Sequence, residues 1–143
     1  ARPWMVTEEL IENPTLVSMP TFGGNPLAMA AGIASIRYIL ENDIPAVVKK
    51  KGEYFLKKLN ELQVKYPEVI KEVRGTGLML GVLFEDMETS HEAIKKLSAR
   101  DIMSSAAMNE PALIRFEPPA NISEESMDKV AVALEEVAKE LQK

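Results

Sequence analysis

A chain of 143 residues, 46% hydrophobic and 27% charged, has the length and balance of one globular domain with a real core. Its formal net charge of −5, with no basic block beyond Lys49 to Lys51, sets aside a nucleic-acid partner, because such grooves need clustered positive potential. The lack of cysteine and the single histidine, His91, leave no disulfide, thiolate site or histidine-rich metal site, and Arg37 interrupts the longest apolar run short of the roughly 20 residues of a membrane span. No signal peptide is visible, and a cysteine-free chain is permitted in a reducing, cytoplasmic setting, which is the expected location.

Residues 1–19 carry prolines at 3 and 14 and read as a connecting segment. Asn25 followed by Pro26 then starts a helix: asparagine is a favoured N-cap, and proline at the first helical position gives up an amide that had no partner. That helix is expected to run to Glu41, with Gly32 and the alanines permitting close packing. A second is expected from Ile44 to Tyr66, its Val48, Phe55, Leu59, Leu62 and Tyr66 recurring on one face, with Pro67 stopping it. "VIKEV" and "LMLGVLF" read as strands separated by the glycines of "RGTG", the second strand buried on both sides.

Thr89 and Glu92 have capping-box spacing, so a third helix is expected from Thr89 to about Arg100, with His91 exposed in its first turn. "IMSSAA" and "ALIRF" are strand candidates around Asn109 and Pro111. Ser123 caps the last helix, Glu124 and Glu125 sit at its positive end, and Met127, Val130, Leu134, Val137 and Leu141 form its buried stripe. Met79 and Met108 read as core filler. Strands grouped with helices, without a crossover rhythm, point to an α+β fold: a small antiparallel sheet with helices packed on one face.

Three stretches bear on chemistry. "PTFGGNP" has the parts of an anion site: Gly23 and Gly24 let backbone approach a ligand, a helix N-terminus follows, and Thr21 adds a hydroxyl. A tight turn without a ligand uses the same parts. In "RGTG", Gly75 and Gly77 precede a strand rather than a helix, which favours a turn with Arg74 on the surface over a dinucleotide site. In "LIRFEPP", Arg115 and Glu117 share one face of an extended segment just before a stiff double proline. The planar arginine fork suits a carboxylate, and an edge-strand arginine paired with Glu117 is the alternative.

"TFGGNPLAMAAGIASIRYILE", "EVRGTGLMLGVLF" and "LIRFEPP" together, in this order and spacing, resemble the C-terminal part of the class III pyridoxal-phosphate-dependent aminotransferases, the group of ornithine, acetylornithine, 4-aminobutyrate and putrescine transaminases. The resemblance covers the chain from about Thr21 onward. It implies that Thr21 hydrogen-bonds the phosphate of pyridoxal phosphate in the neighbouring subunit of a homodimer. It also implies that Arg115 binds the α-carboxylate of the amino or oxo acid. Residues 1–24 become a leader from the large cofactor domain, and 25–143 the interdomain helix and small C-terminal domain.

Two departures stand out: "VSMP" replaces the histidine and small hydroxyl residues usual before the threonine, leaving Pro20 without a donor, and Ala120 and Asn121 follow the double proline. The lysine that the family uses for covalent catalysis lies upstream of "TFGGNP", and no lysine here precedes Lys49. No catalytic residue is therefore expected in this chain, which opens "ARPWM" without an initiator methionine. The resemblance implies a C-terminal piece of a transaminase, inactive alone and not expected to hold the cofactor. The other reading is a free-standing α+β module that binds a ligand or partner and does no chemistry.

Overall fold

The computed structural model describes residues 21–142, together with Glu12. Most of the expected leader over residues 1–24, Pro20 included, lies outside the described residues. The chain divides into two compact units, Ala1–Asn42 and Asp43–Lys143.

In the first unit a turn at 21–24 leads into helix α1, Pro26–Glu41. Asn25 caps it as expected, its Oδ1 accepting from the amides of Leu27 at 2.9 Å and Ala28 at 3.3 Å. Gly24 has φ +75°, a conformation that costs a side-chain-bearing residue and that glycine adopts freely. No residue of α1 is buried, and Leu27, Ile36 and Leu40 stand exposed on it.

The second unit is built in the order α2 (Ile44–Lys65), β1 (Ile70–Thr76), β2 (Met79–Phe84), α3 (Met87–Ser98), β3 (Ser105–Ala106), β4 (Leu113–Phe116) and α4 (Glu124–Leu141). The four strands form one antiparallel sheet in the order β1-β2-β4-β3. Alternation along the strands sends Leu80, Val82, Phe84, Ile114 and Phe116 to one face. There they meet Phe55 and Leu59 of α2, Leu97 of α3, and Met127, Leu134 and Val137 of α4 in a single core. Phe55 meets Phe116 edge-on, with ring centroids 6.2 Å apart. The helices thus cover one face, and the fold is α+β as expected.

The core stripes of α2 and α4 are the expected ones, although Val48, Val130 and Leu141 are only partly buried. Ser123 Oγ accepts from the Ser126 amide at 3.1 Å, so the last helix starts where its cap predicts.

Four expectations need correction. The first strand does not end at Val73: β1 continues through Arg74 and Gly75 to Thr76, pairing Arg74 with Gly81 and Gly75 with Leu80. The turn is the two-residue link Gly77–Leu78, where Gly77 has φ +54°. The third helix starts at Met87 rather than Thr89, because Asp86 is the cap: its Oδ1 accepts from the Thr89 amide at 2.7 Å. That start puts the exposed His91 in the second turn. It also ends earlier than Arg100, at Ser98, in a turn with Asp101 at φ +60° and the Ile102 amide donating to the Leu97 carbonyl.

The methionines also differ. Met79 is 66% exposed and Met108 99% exposed, so neither fills the core. Met79 points away from the helices at the hairpin end, and Met108 lies in the turn between β3 and β4; among the described residues Met127 is the fully buried methionine. Within β2, burial on both sides holds for Leu80 to Val82 and Phe84, while Leu83 is half-buried.

Candidate functional site

Arg115 sits on β4, an interior strand flanked by β2 and β3, not on an edge. Its neighbours Ile114 and Phe116 point into the core, so Arg115 projects from the sheet face that the helices leave uncovered. Its guanidinium is lightly held: Nη1 donates to Glu117 Oε1 and Nη2 to Ser105 Oγ, both at 3.4 Å. The side chain is 43% exposed, and such single-contact exposed pairs contribute about 0–1 kcal/mol. The pairing with Glu117 is therefore present, yet most of the fork remains open to a carboxylate.

What holds this end of the sheet is a set of contacts made by one stretch of α2. Gly52 packs so closely on Gly77 that an added Cβ would lie 2.1 Å from its carbonyl oxygen, and Val48 lies against the same turn. Lys51 Nζ donates to the carbonyls of Ala120 at 2.9 Å and Ile122 at 2.6 Å. Leu80 of β2 pairs with Phe116 of β4, so the β1–β2 turn and the end of β4 lie at the same end of the sheet. The loop after Pro118 and Pro119 is thereby tied to α2 a few residues beyond Arg115. Arg115, Glu117, both prolines and Ile122 line a cleft of about 720 Å³ that reaches down to Phe55.

Away from the cleft, α2 and α4 are joined by Tyr54, whose hydroxyl donates to Asp128 Oδ1 at 2.8 Å, and by Lys58, at 3.0 Å from the same oxygen. The Tyr54 hydrogen bond first, then that of Lys58, hold the Asp128 carboxyl below the usual carboxylate range. Lys96 and Arg100 likewise lower Glu140, which ties α3 to α4.

Thr21 lies exposed in the turn before α1. The amides of that helix end are already engaged: Pro26 has none, Asn25 takes those of Leu27 and Ala28, and the Met29 amide donates to the Asn25 carbonyl. An anion at this turn would accordingly rely on the Thr21 hydroxyl and the glycine backbone, with open space around Gly24. Thr21 and Arg115 belong to different units, and each stands as a site by itself. Sequence reasoning missed Ser105 and Lys51; no local signal marks a serine or lysine whose partner is on another element.

Residues 3–138 match the aminotransferase class-III family model. The chain belongs to the class-III aminotransferase family. It is 36% identical over 132 residues to a putrescine aminotransferase of Pectobacterium atrosepticum, covering 92% of this chain and 28% of that protein. It superposes with a TM-score of 0.76 on acetylornithine aminotransferase from Elizabethkingia anophelis, at 27% identity, over 86% of this chain and 32% of that one. It is also similar to a phospholyase from Arthrobacter, in complex with phosphoethanolamine, at 26% identity and a TM-score of 0.77, over 93% of this chain and 34% of that one. The chain therefore spans about a third or less of the length of these relatives.

Proposed function

We propose that this chain is the C-terminal part of a transaminase that moves an amino group between an amine or amino acid and a 2-oxo acid. The carrying observation is Arg115, on the free face of the sheet with its fork held only by two contacts at 3.4 Å, in a chain of the class-III aminotransferase family. In this reading Arg115 receives the α-carboxylate of the oxo acid through two parallel hydrogen bonds, releasing Glu117. The relative named as a putrescine aminotransferase supports a diamine or ornithine-type donor.

The family's cofactor is pyridoxal phosphate, which supplies an electron sink for bond changes at the amine carbon. The residues of the 21–24 turn fit its phosphate: a Thr21 hydroxyl with no hydrogen-bond partner among the described residues and an unobstructed backbone at Gly24, φ +75°. Thr21 is proposed to donate that hydroxyl to phosphate held by the neighbouring subunit of a homodimer. Residues 1–24 are proposed as the leader from a large cofactor domain and 25–143 as the interdomain helix and small domain, working in the cytoplasm. Among the described residues no helix is long and apolar enough to cross a membrane.

The experiment is Arg115→Lys and Arg115→Ala in the full-length protein that contains this chain. A charge-assisted pair of this kind is worth about 1.5–3 kcal/mol, so KM for 2-oxoglutarate rises about 10- to 100-fold in Arg115→Ala. Arg115→Lys keeps the charge but loses the fork, so it weakens the oxo acid less. Putrescine, which has no carboxylate, is much less affected in its own half-reaction. Equal losses for both substrates would make Arg115 a structural residue and end this reading.

A further inference from the structure

Arg115 has a methionine on either side of its strand. On β2, Gly81 lies opposite Arg115 and Leu80 opposite Phe116, so Met79, the next residue, stands beside Glu117 on the free face. On β3, Ser105 lies opposite Arg115. Burial alternates from Ile102 to Ala106, and the Ser104 hydroxyl oxygen is buried, so Met103 shares the free face with Ser105. Both methionines are therefore diagonal neighbours of Arg115, about 7–8 Å away across the ladder and within reach of long side chains. Met103 lines the same cleft as Arg115 and Glu117.

Met79 is 66% exposed and Met103 98% exposed, and the chain holds no cysteine, so thioethers are its only oxidisable sulfur. A thioether is a weak acceptor and leaves a guanidinium alone. A sulfoxide carries a strongly polar oxygen, and the long flexible side chain can bring that oxygen to Arg115. The Arg115 fork is open to it, because its contacts to Glu117 and Ser105 are both 3.4 Å long. Oxidation thus turns two silent neighbours into competitors for the N–H groups that a carboxylate needs.

We propose that Met79 and Met103 form a reversible oxidation site that lowers the affinity of Arg115 for a carboxylate. The oxidant is a hydroperoxide: the sulfur lone pair takes its terminal oxygen, the O–O bond breaks, and the remainder keeps the proton and leaves as water or an alcohol. Sulfur is oxidised and the peroxide reduced; two external thiols return the thioether, with a disulfide and water as products. The inference rests on the reading of Arg115 given above.

In the full-length protein, dilute hydrogen peroxide is expected to add one oxygen to each of these methionines, read by peptide mass. KM for 2-oxoglutarate then rises about 5-fold, the scale of one competing hydrogen bond, with kcat unchanged. Putrescine, which has no carboxylate, keeps its own half-reaction rate, and a thiol-dependent sulfoxide reductase restores KM. The double variant Met79→Leu with Met103→Leu, compared with its own untreated sample, loses the response. Met108→Leu, at a 99% exposed methionine in the β3–β4 turn, keeps it. If the double variant does not fold, Met103→Leu alone is expected to lose the larger part. Both methionines left unmodified, a modified protein with unchanged KM, or a KM rise that persists in the Leu variants overturns the proposal while leaving Arg115 in place. An untreated Arg115→Ala with unchanged KM for 2-oxoglutarate would instead remove the carboxylate site itself.

Discussion

Replacing Gly52 with alanine tests how the sheet end that carries Arg115 is held. The added Cβ would lie 2.1 Å from the carbonyl oxygen of Gly77, 2.4 Å from its carbonyl carbon and 2.6 Å from its Cα. These are backbone atoms, so no rotamer change relieves the clash, and α2 and the β1–β2 turn must separate by roughly 1 Å in a densely packed unit. Overpacking of this kind costs about 1–3 kcal/mol, and a backbone clash belongs at or beyond the upper end. Alanine returns about 1 kcal/mol of helix propensity, which leaves a net loss of about 2 kcal/mol. For a unit of this size that lowers Tm by about 10 °C, read by circular dichroism during thermal unfolding. Gly32 in α1 is the control: nothing lies within 4 Å of its added Cβ, so Gly32→Ala should hold or raise stability by up to about 1 kcal/mol. If Gly52→Ala behaves like Gly32→Ala, the close docking of α2 on the turn is refuted.

Lys51→Met removes the donor shared by the Ala120 and Ile122 carbonyls and should cost about 1–2 kcal/mol in urea unfolding, with Lys51→Arg milder; equal stability of all three would show that the loop needs no anchor. Asp128 has a lowered pKa in the fold, so its contribution is present above the ordinary carboxylate value and is lost as pH falls through the folded one. Asp128→Asn should therefore lower the urea midpoint at pH 7, and the gap to the unmodified chain should narrow as pH falls below the ordinary carboxylate value. A gap independent of pH would mean that the carboxylate charge at Asp128 is not what joins α2 to α4.

The sequence by itself determined the helices and the family. Asn25 with Pro26, Pro67, and Ser123 bound helices through bonds made or lost within one turn, and Phe55, Leu59, Leu134 and Val137 fall into stripes because helical geometry repeats locally. Even there, the capping-box spacing of Thr89 and Glu92 misplaced the start of the third helix, because Asp86 is the residue that takes the Thr89 amide. The strand order β1-β2-β4-β3 belonged to the tertiary structure, since alternating hydropathy is the same whichever strands are neighbours. So did the extension of β1 through Gly75, which depends on Leu80 lying opposite, and the exposure of Met79 and Met108, which depends on which face the helices cover. Arg115 could be singled out as a candidate because its motif is local. Its place between Gly81 and Ser105, and the reach of Lys51 to carbonyls 69 and 71 residues away, could not, because long-range pairing is fixed only when the buried faces close on one core.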